Sequence, residues 1–130
     1  MELFFENEVI TIHYLEDINT IKAVWKKQST NEQYREGFLK CLDSVKKYTP
    51  LHWLSDISKQ GIIGSESRQW MEQNTLPKVI EMGLKNVAVI VDQDIFKNYY
   101  LNRIKKTGES RMNMEYFASQ EDALEWIKKL

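Results

Sequence analysis

LHWLSDISKQGIIGSESRQWMEQNTLPKVIEMG, running from Leu51 to Gly83, is the stretch whose reading decides the fold. Leu51–Ser55 has the composition of a short strand, Asp56 to Gly64 that of a turn, and a helix opens at Ser65. In an open α/β sheet such a strand-to-helix turn lies outside the carboxyl end of the strand, where ligands and partners are met. The working site is therefore expected between Asp56 and Ser67. Ser65 can cap the helix by accepting from the amide of Ser67 or Arg68. Trp70 and Met71 begin its apolar face, and Pro77 should break it near Asn74–Thr75. Gly83 supplies a left-handed residue to end it.

Upstream of this unit, residues 2–27 read as a β-meander of Leu3–Phe5, Val9–Tyr14 and Thr20–Lys26. Val9, Thr11 and His13 alternate with Ile10, Ile12 and Tyr14, and Ile21, Ala23 and Trp25 alternate with Lys22, Val24 and Lys26. A period of two puts one face on a core and leaves the other partly wet. Asn7 and the Glu16-Asp17 pair with Asn19 supply turns too short for anything but antiparallel pairing. The period then lengthens: Tyr34, Phe38, Cys41, Leu42, Val45 and Tyr48 recur at helical steps. Ser29 and Glu32 can form a capping box for a helix over about 30–47, which Pro50 stops. Gly37 lets that helix approach the sheet closely.

Downstream, Val87–Val91 is the most continuous apolar run, as expected of a strand covered on both faces. Asp92 to Asp94 turns into a helix through Ile95, Phe96, Tyr99, Tyr100 and Ile104, closed by Gly108. Met112–Ala118 is a sixth strand. Ser119 with Asp122 caps a last helix whose Ala123, Leu124, Ile127 and Leu130 should face inward. The order βββαβαβαβα predicts one α/β domain over residues 1–130: a single mixed sheet of about six strands, antiparallel at the start and then parallel, covered by about four helices.

At 130 residues the chain is long enough for one core. A hydrophobic share of 42% and a charged share of 28% exclude disorder and a membrane-integrated chain. The net charge of −1 offers no field for nucleic acid, and Lys46-Lys47, Lys105-Lys106 and Lys128-Lys129 each fall at a predicted helix end. Met1-Glu2-Leu3 does not open a signal peptide, so a cytoplasmic protein is expected. Cys41 alone excludes an internal disulfide and fits a reducing compartment.

Chemistry is sparsely signalled. His13 and His52 are isolated, with no second ligand at metal spacing, so neither a metal nor a cofactor is expected. Cys41 sits mid-helix beside Phe38 and Val45, away from anything that would stabilise a thiolate. Asp56 and Asp92 fall at the carboxyl ends of two strands, a placement that suits a metal or acid–base work and equally suits turn formation. Gly61 and Gly64 flank Ile62-Ile63, and Ser65, Glu66 and Ser67 open a helix whose free amides favour an anion; a phosphate could sit there, or capping alone could explain the residues. There is neither GxxxxGK[ST] nor GxGxxG. Trp126 is offset from the inward face of the last helix, where an exposed ring would serve a partner or a homodimer.

The order of elements, Trp53-Leu54-Ser55-Asp56 before the turn, Trp70 and Pro77, Gly83, the Val87–Val91 strand and the closing Ala123…Trp126-Ile127 together resemble the STAS/SEC14-like bacterial proteins related to anti-sigma-factor antagonists. The resemblance covers nearly all of the chain. It implies a non-enzymatic regulatory domain whose turn, with Asp56, Gly64, Ser65, Glu66 and Ser67, meets a protein partner such as a kinase or an anti-sigma factor. Ser65 or Ser67 would be the phosphoacceptor. The family's Asp-Ser-Ser/Thr-Gly surrounding is replaced here by Gly64-Ser65-Glu66-Ser67. The lipid-carrier relatives imply a second use: an apolar ligand between helices and sheet, gated by Ile62-Ile63 or by the Phe96–Leu101 helix.

Overall fold

The computed structural model describes residues 1–96 and 112–130. Six strands form one sheet in the order in which the chain supplies them: β1 (Glu2–Glu6), β2 (Ile10–Leu15), β3 (Thr20–Trp25), β4 (His52–Asp56), β5 (Asn86–Ile90) and β6 (Asn113–Phe117). β1–β2 and β2–β3 pair antiparallel, while β3–β4, β4–β5 and β5–β6 pair parallel. Connection length accounts for the change, since a few residues can only reverse a chain whereas a crossover carries it back. The crossovers are α1 (Asn31–Tyr48) and the pair α2 (Ser65–Asn74) and α3 (Leu76–Glu81), and α4 (Gln120–Lys128) follows β6. The mixed sheet and its helices match the expectation. Residues 93–96 are helical, and the rest of the helix expected as far as Gly108 lies outside the described residues.

The turns form through the residues that announce them. Asn7 Oδ1 accepts from the amides of Val9 and Ile10, both at 2.9 Å. Asn19 takes a left-handed conformation (φ 48°) after a 3-10 turn over Glu16–Ile18, and its Oδ1 accepts from the Tyr14 hydroxyl at 2.7 Å. Asparagine tolerates that region because its short amide bonds locally. The capping box at α1 lies one residue beyond the expected one. Thr30 Oγ1 accepts from Gln33 N and Gln33 Oε1 from Thr30 N, so Thr30 and Gln33 replace Ser29 and Glu32. Glutamine reaches back as well as glutamate does, and Ser29 is buried. Pro77 sits in the first turn of α3, so the break falls at Thr75, and Gly83 has φ +98°.

Helices α1, α2 and α3 cover one face of the sheet and α4 the other. Ile12, Ile21, Ala23, Trp25 and Trp53 meet Tyr34, Phe38, Cys41 and Val45 of α1 on the first face. Leu54, Ala88 and Ile90 meet Ala123 and Ile127 of α4 on the second. A Cβ on Gly37 would run into the six-membered ring of Trp25, so glycine is what lets α1 sit this close to β3. β5 is the penultimate strand, yet it is covered on both faces as its apolar run requires. One expectation at the carboxyl end fails because α4 stops at Lys128: Leu130 is exposed. Trp126, offset from the inward face, is half-buried with its ring 5.5 Å from that of Phe117. No helix of the described residues is long and apolar enough to cross a membrane.

Candidate functional site

Three loops leave the carboxyl ends of β3, β4 and β5, and two are tied together by Gln28. Its Nε2 donates to Ile62 O at 2.7 Å while its Oε1 accepts from Ile62 N at 2.9 Å. This two-point clamp holds the turn after β4 against the loop after β3. Gly61 sits at φ +81°, and a Cβ there would overlap the Gln28 carboxamide, so both its conformation and the clamp require glycine. The turn is joined to β5 as well, through Ile57 N donating to Ile90 O at 2.9 Å.

Behind the turn, between α1, α2 and the sheet, lies a cavity of about 660 Å³. Small-molecule sites span roughly 300–1,000 Å³. Val87, Val89 and Val91 form its floor, and Tyr34, Phe38 and Met71 stand over them. Ile57, Gln60, Ile62 and Ile63 line it from the turn. The period of a strand fixes which side chains can reach it: Trp53 and Ser55 line the cavity, and Leu54 and Asp56 belong to the opposite face.

Few polar groups reach this space. Gln60 and Trp53 are 6% and 2% exposed, and neither Gln60 Nε2 nor Trp53 Nε1 has a hydrogen-bond partner among the described residues. Arg68 and Glu72, one turn apart on α2, line it as well. The Tyr34 phenol is pushed up to about 12, chiefly by burial, with Arg68 lowering it and Glu72 raising it.

The residues expected to form one binding turn are divided between inside and outside. Asp56 is buried. Its Oδ1 accepts from Ser58 N at 3.0 Å and Ser58 Oγ at 2.6 Å, and its Oδ2 from Gln120 Nε2 at 2.9 Å, stitching the turn to α4. Asp92 Oδ1 accepts from Ile95 N at 2.9 Å. Both aspartates are thus engaged as turn formers. Gly64, not Ser65, is the N-cap of α2, with no side-chain cap, and Ser65 is the first helical residue. The correction follows from backbone geometry, since Gly64 has the extended conformation of a cap (ψ 153°). Glu66 points to solvent 3.8 Å from Arg35, whose guanidinium lies over Trp70 at 5.5 Å. Ser67 is 1% exposed and its hydroxyl donates to Asn31 Oδ1 at 2.9 Å.

Of the gate residues, Ile62 is 87% exposed and Ile63 half-buried, and both line the cavity. Phe96 packs against the main core, and its neighbour Ile95 is the one that reaches the lining; residues 97–101 of the gate lie outside the described residues. Cys41 is buried in mid-α1 and burial pushes its thiol far up, away from a nucleophilic thiolate. His52 lies at the other end of β4, where Asn86 Nδ2 meets its Nδ1 at 2.9 Å and Asn86 Oδ1 accepts from Asn113 Nδ2 at 3.1 Å. Among the described residues no three His, Cys, Asp or Glu gather as metal ligands. A smaller depression of about 380 Å³ near Leu15, Ile18 and Leu124 contains none of the candidate residues.

Sequence reasoning missed Gln28, Tyr34, Gln60, Arg68 and Glu72. A signal for Gln28 existed, because it follows β3 at the same carboxyl edge as the turn after β4, and the edge rule applies to every parallel strand. Arg68 and Glu72 read as solvated helix residues, and only the hollow beneath α2 gives them a role.

A model of the SpoIIAA-like family matches residues 20–128. The crystal structure of an uncharacterised protein of the DUF3478 family with a SpoIIAA-like fold, from Shewanella loihica PV-4, is similar to this chain with a TM-score of 0.59 and 21% sequence identity. The match covers 95% of this chain and 98% of that one. At this identity the likeness speaks for the fold. None of the curated proteins matches the chain.

Proposed function

Since this chain belongs to the SpoIIAA-like family, a STAS-type fold, we propose that it is a non-enzymatic domain that holds a small, largely apolar ligand beside the turn after β4. The observation that carries this reading is the cavity of about 660 Å³ floored by Val87, Val89 and Val91. Apolar walls with a few polar groups at one side are the usual make-up of a small-molecule site. The engaged aspartates and the un-ionised Cys41 offer no catalytic set in support of an enzyme. Native mass spectrometry of freshly purified protein should show a bound species, or one equivalent of the apolar dye Nile red should be taken up. Val89→Phe should abolish uptake while the protein remains folded. A clean unliganded mass together with no dye uptake would overturn the reading.

A second reading, a partner surface on the rim of the same turn, is favoured by Ile62, an apolar side chain exposed while its backbone is clamped by Gln28. Ser65 is exposed beside it and open to a kinase, whereas Ser67 is buried. A partner that meets this rim should be lost from a pull-down with Ile62→Asp and with Ser65→Asp. Retention by both variants would count against the surface.

A further inference from the structure

Polarity is distributed unevenly along the cavity, and the strand geometry gives its length. The floor runs from Val91, just beyond the carboxyl end of β5, to Val87 near its start, about 13 Å at roughly 3.3 Å per residue. At the Val91 end lies Gln60, from the turn that follows β4, together with Tyr34 and Arg68 from the first turns of α1 and α2. Toward the Val87 end the lining is Phe38, Met71, Leu76 and Met114, with the indole Nε1 of Trp53, paired beside Val87, as an isolated uncharged donor. A ligand lying along this floor has a polar head and an apolar tail.

The head-group chemistry follows from what the polar end lacks. Gln60 is 94% buried and its Nε2 has no acceptor among the described residues. A buried amide N–H is costly to leave without a partner, so an acceptor on the ligand is favoured. Arg68 adds a cation that makes no ion pair with a described residue, at the end of α2 where the macrodipole is positive. Glu72 lies one turn deeper, about 6 Å along the helix, where an apolar tail rather than a head would pass. Building on the cavity reading above, we infer that the ligand is an amphiphile with a carboxylate head, held by Gln60 and Arg68, and a straight or lightly branched hydrocarbon tail over the valine floor.

The test uses the full chain and three probes with one tail, decanoate, decanol and decylamine, each displacing Nile red at low ionic strength. Decanoate should bind about tenfold more tightly than decanol, with decylamine weakest, as expected for one charge-assisted contact at a partly exposed arginine. Arg68→Gln should remove the preference for decanoate and leave decanol unchanged. Glu72→Gln should strengthen decanoate severalfold. Arg68 and Glu72 are both exposed on α2, so these variants should fold. Equal binding of the three probes, or a preference for the amine, would overturn the carboxylate head while the cavity reading stands. Failure of all three probes and of Nile red would overturn both.

Discussion

Over β2 and β3 the helix-covered face of the sheet is filled, and over β5 and β6 the same face is hollow. In the filled region Trp25 stacks near Tyr34 at 5.7 Å and Phe38 at 5.4 Å, and α1 descends onto the indole because Gly37 has no side chain. In the hollow region the floor is valine, and Met71 and Leu76 over it are only partly buried. The difference lies in side-chain supply: Trp25 fills the space beneath α1 on one side, whereas the three residues that β5 and its end turn toward the helices on the other are valines. One sheet face is thus packed at one side and hollow at the other, and the side chains that the five strands β2 to β6 turn toward it decide where one becomes the other.

The sharpest way to break this comparison is to hollow the filled side. Trp25→Ala should destabilise the protein by about 3–5 kcal/mol, read as the urea midpoint at constant slope. A loss under 1 kcal/mol would mean that the region is not the core described. Gly37→Val should cost about 1–3 kcal/mol, because its added carbons meet the Trp25 ring with nowhere to shift. Val89→Phe supplies the opposite arm. Added bulk enters existing space, so stability should change by less than about 1.5 kcal/mol while ligand uptake is lost. If Val89→Phe proved as costly as Gly37→Val, the hollow side would be as well packed as the filled one.

The smallest expected effect concerns pH and lies at the amino edge, which both regions share. Burial lowers the pKa of His52 from 6.5, and Asn86 presents its amide nitrogen to Nδ1, which suits the neutral ring. The sign follows from proton counting. As pH falls below 6.5 the unfolded chain takes up this proton before the folded one, so stability declines with falling pH. Urea unfolding at several pH values between 7.5 and 5 should show a shallower decline for His52→Gln than for the natural chain. Identical slopes would mean that the Asn113–Asn86–His52 ladder does not favour the neutral imidazole.

The filled region was legible in the sequence and the hollow one only in outline. Alternation in Ile10–Tyr14 and Ile21–Lys26, helical spacing from Tyr34 to Tyr48, and Asn7, Pro77 and Gly83 are local signals, and each reappears as the element it announced. The edge rule for parallel strands likewise put the turn after β4 at the carboxyl rim, where it lines the cavity. What the turn's residues do could not be read there, because it depends on neighbours far along the chain. Asp56 turns to α4 and meets Gln120, 64 residues away, and Ser67 meets Asn31, 36 residues away. Ser65 lost its capping role to Gly64 through a one-residue difference in where the backbone leaves the extended region. A cavity has no local signature at all, being the difference between the volume that four elements enclose and the volume that their side chains fill.

The strand order β1 to β6 has a kinetic consequence. Every hydrogen-bonded neighbour in this sheet is also the next strand in the chain, so no pairing must wait for a distant segment to arrive. The chain-closure entropy for each step is that of one turn or one crossover, and rates of folding fall as the mean sequence separation of contacts rises. The β1–β3 meander can therefore form as a unit from its own short turns and present an edge, and each later strand adds to an edge already in place.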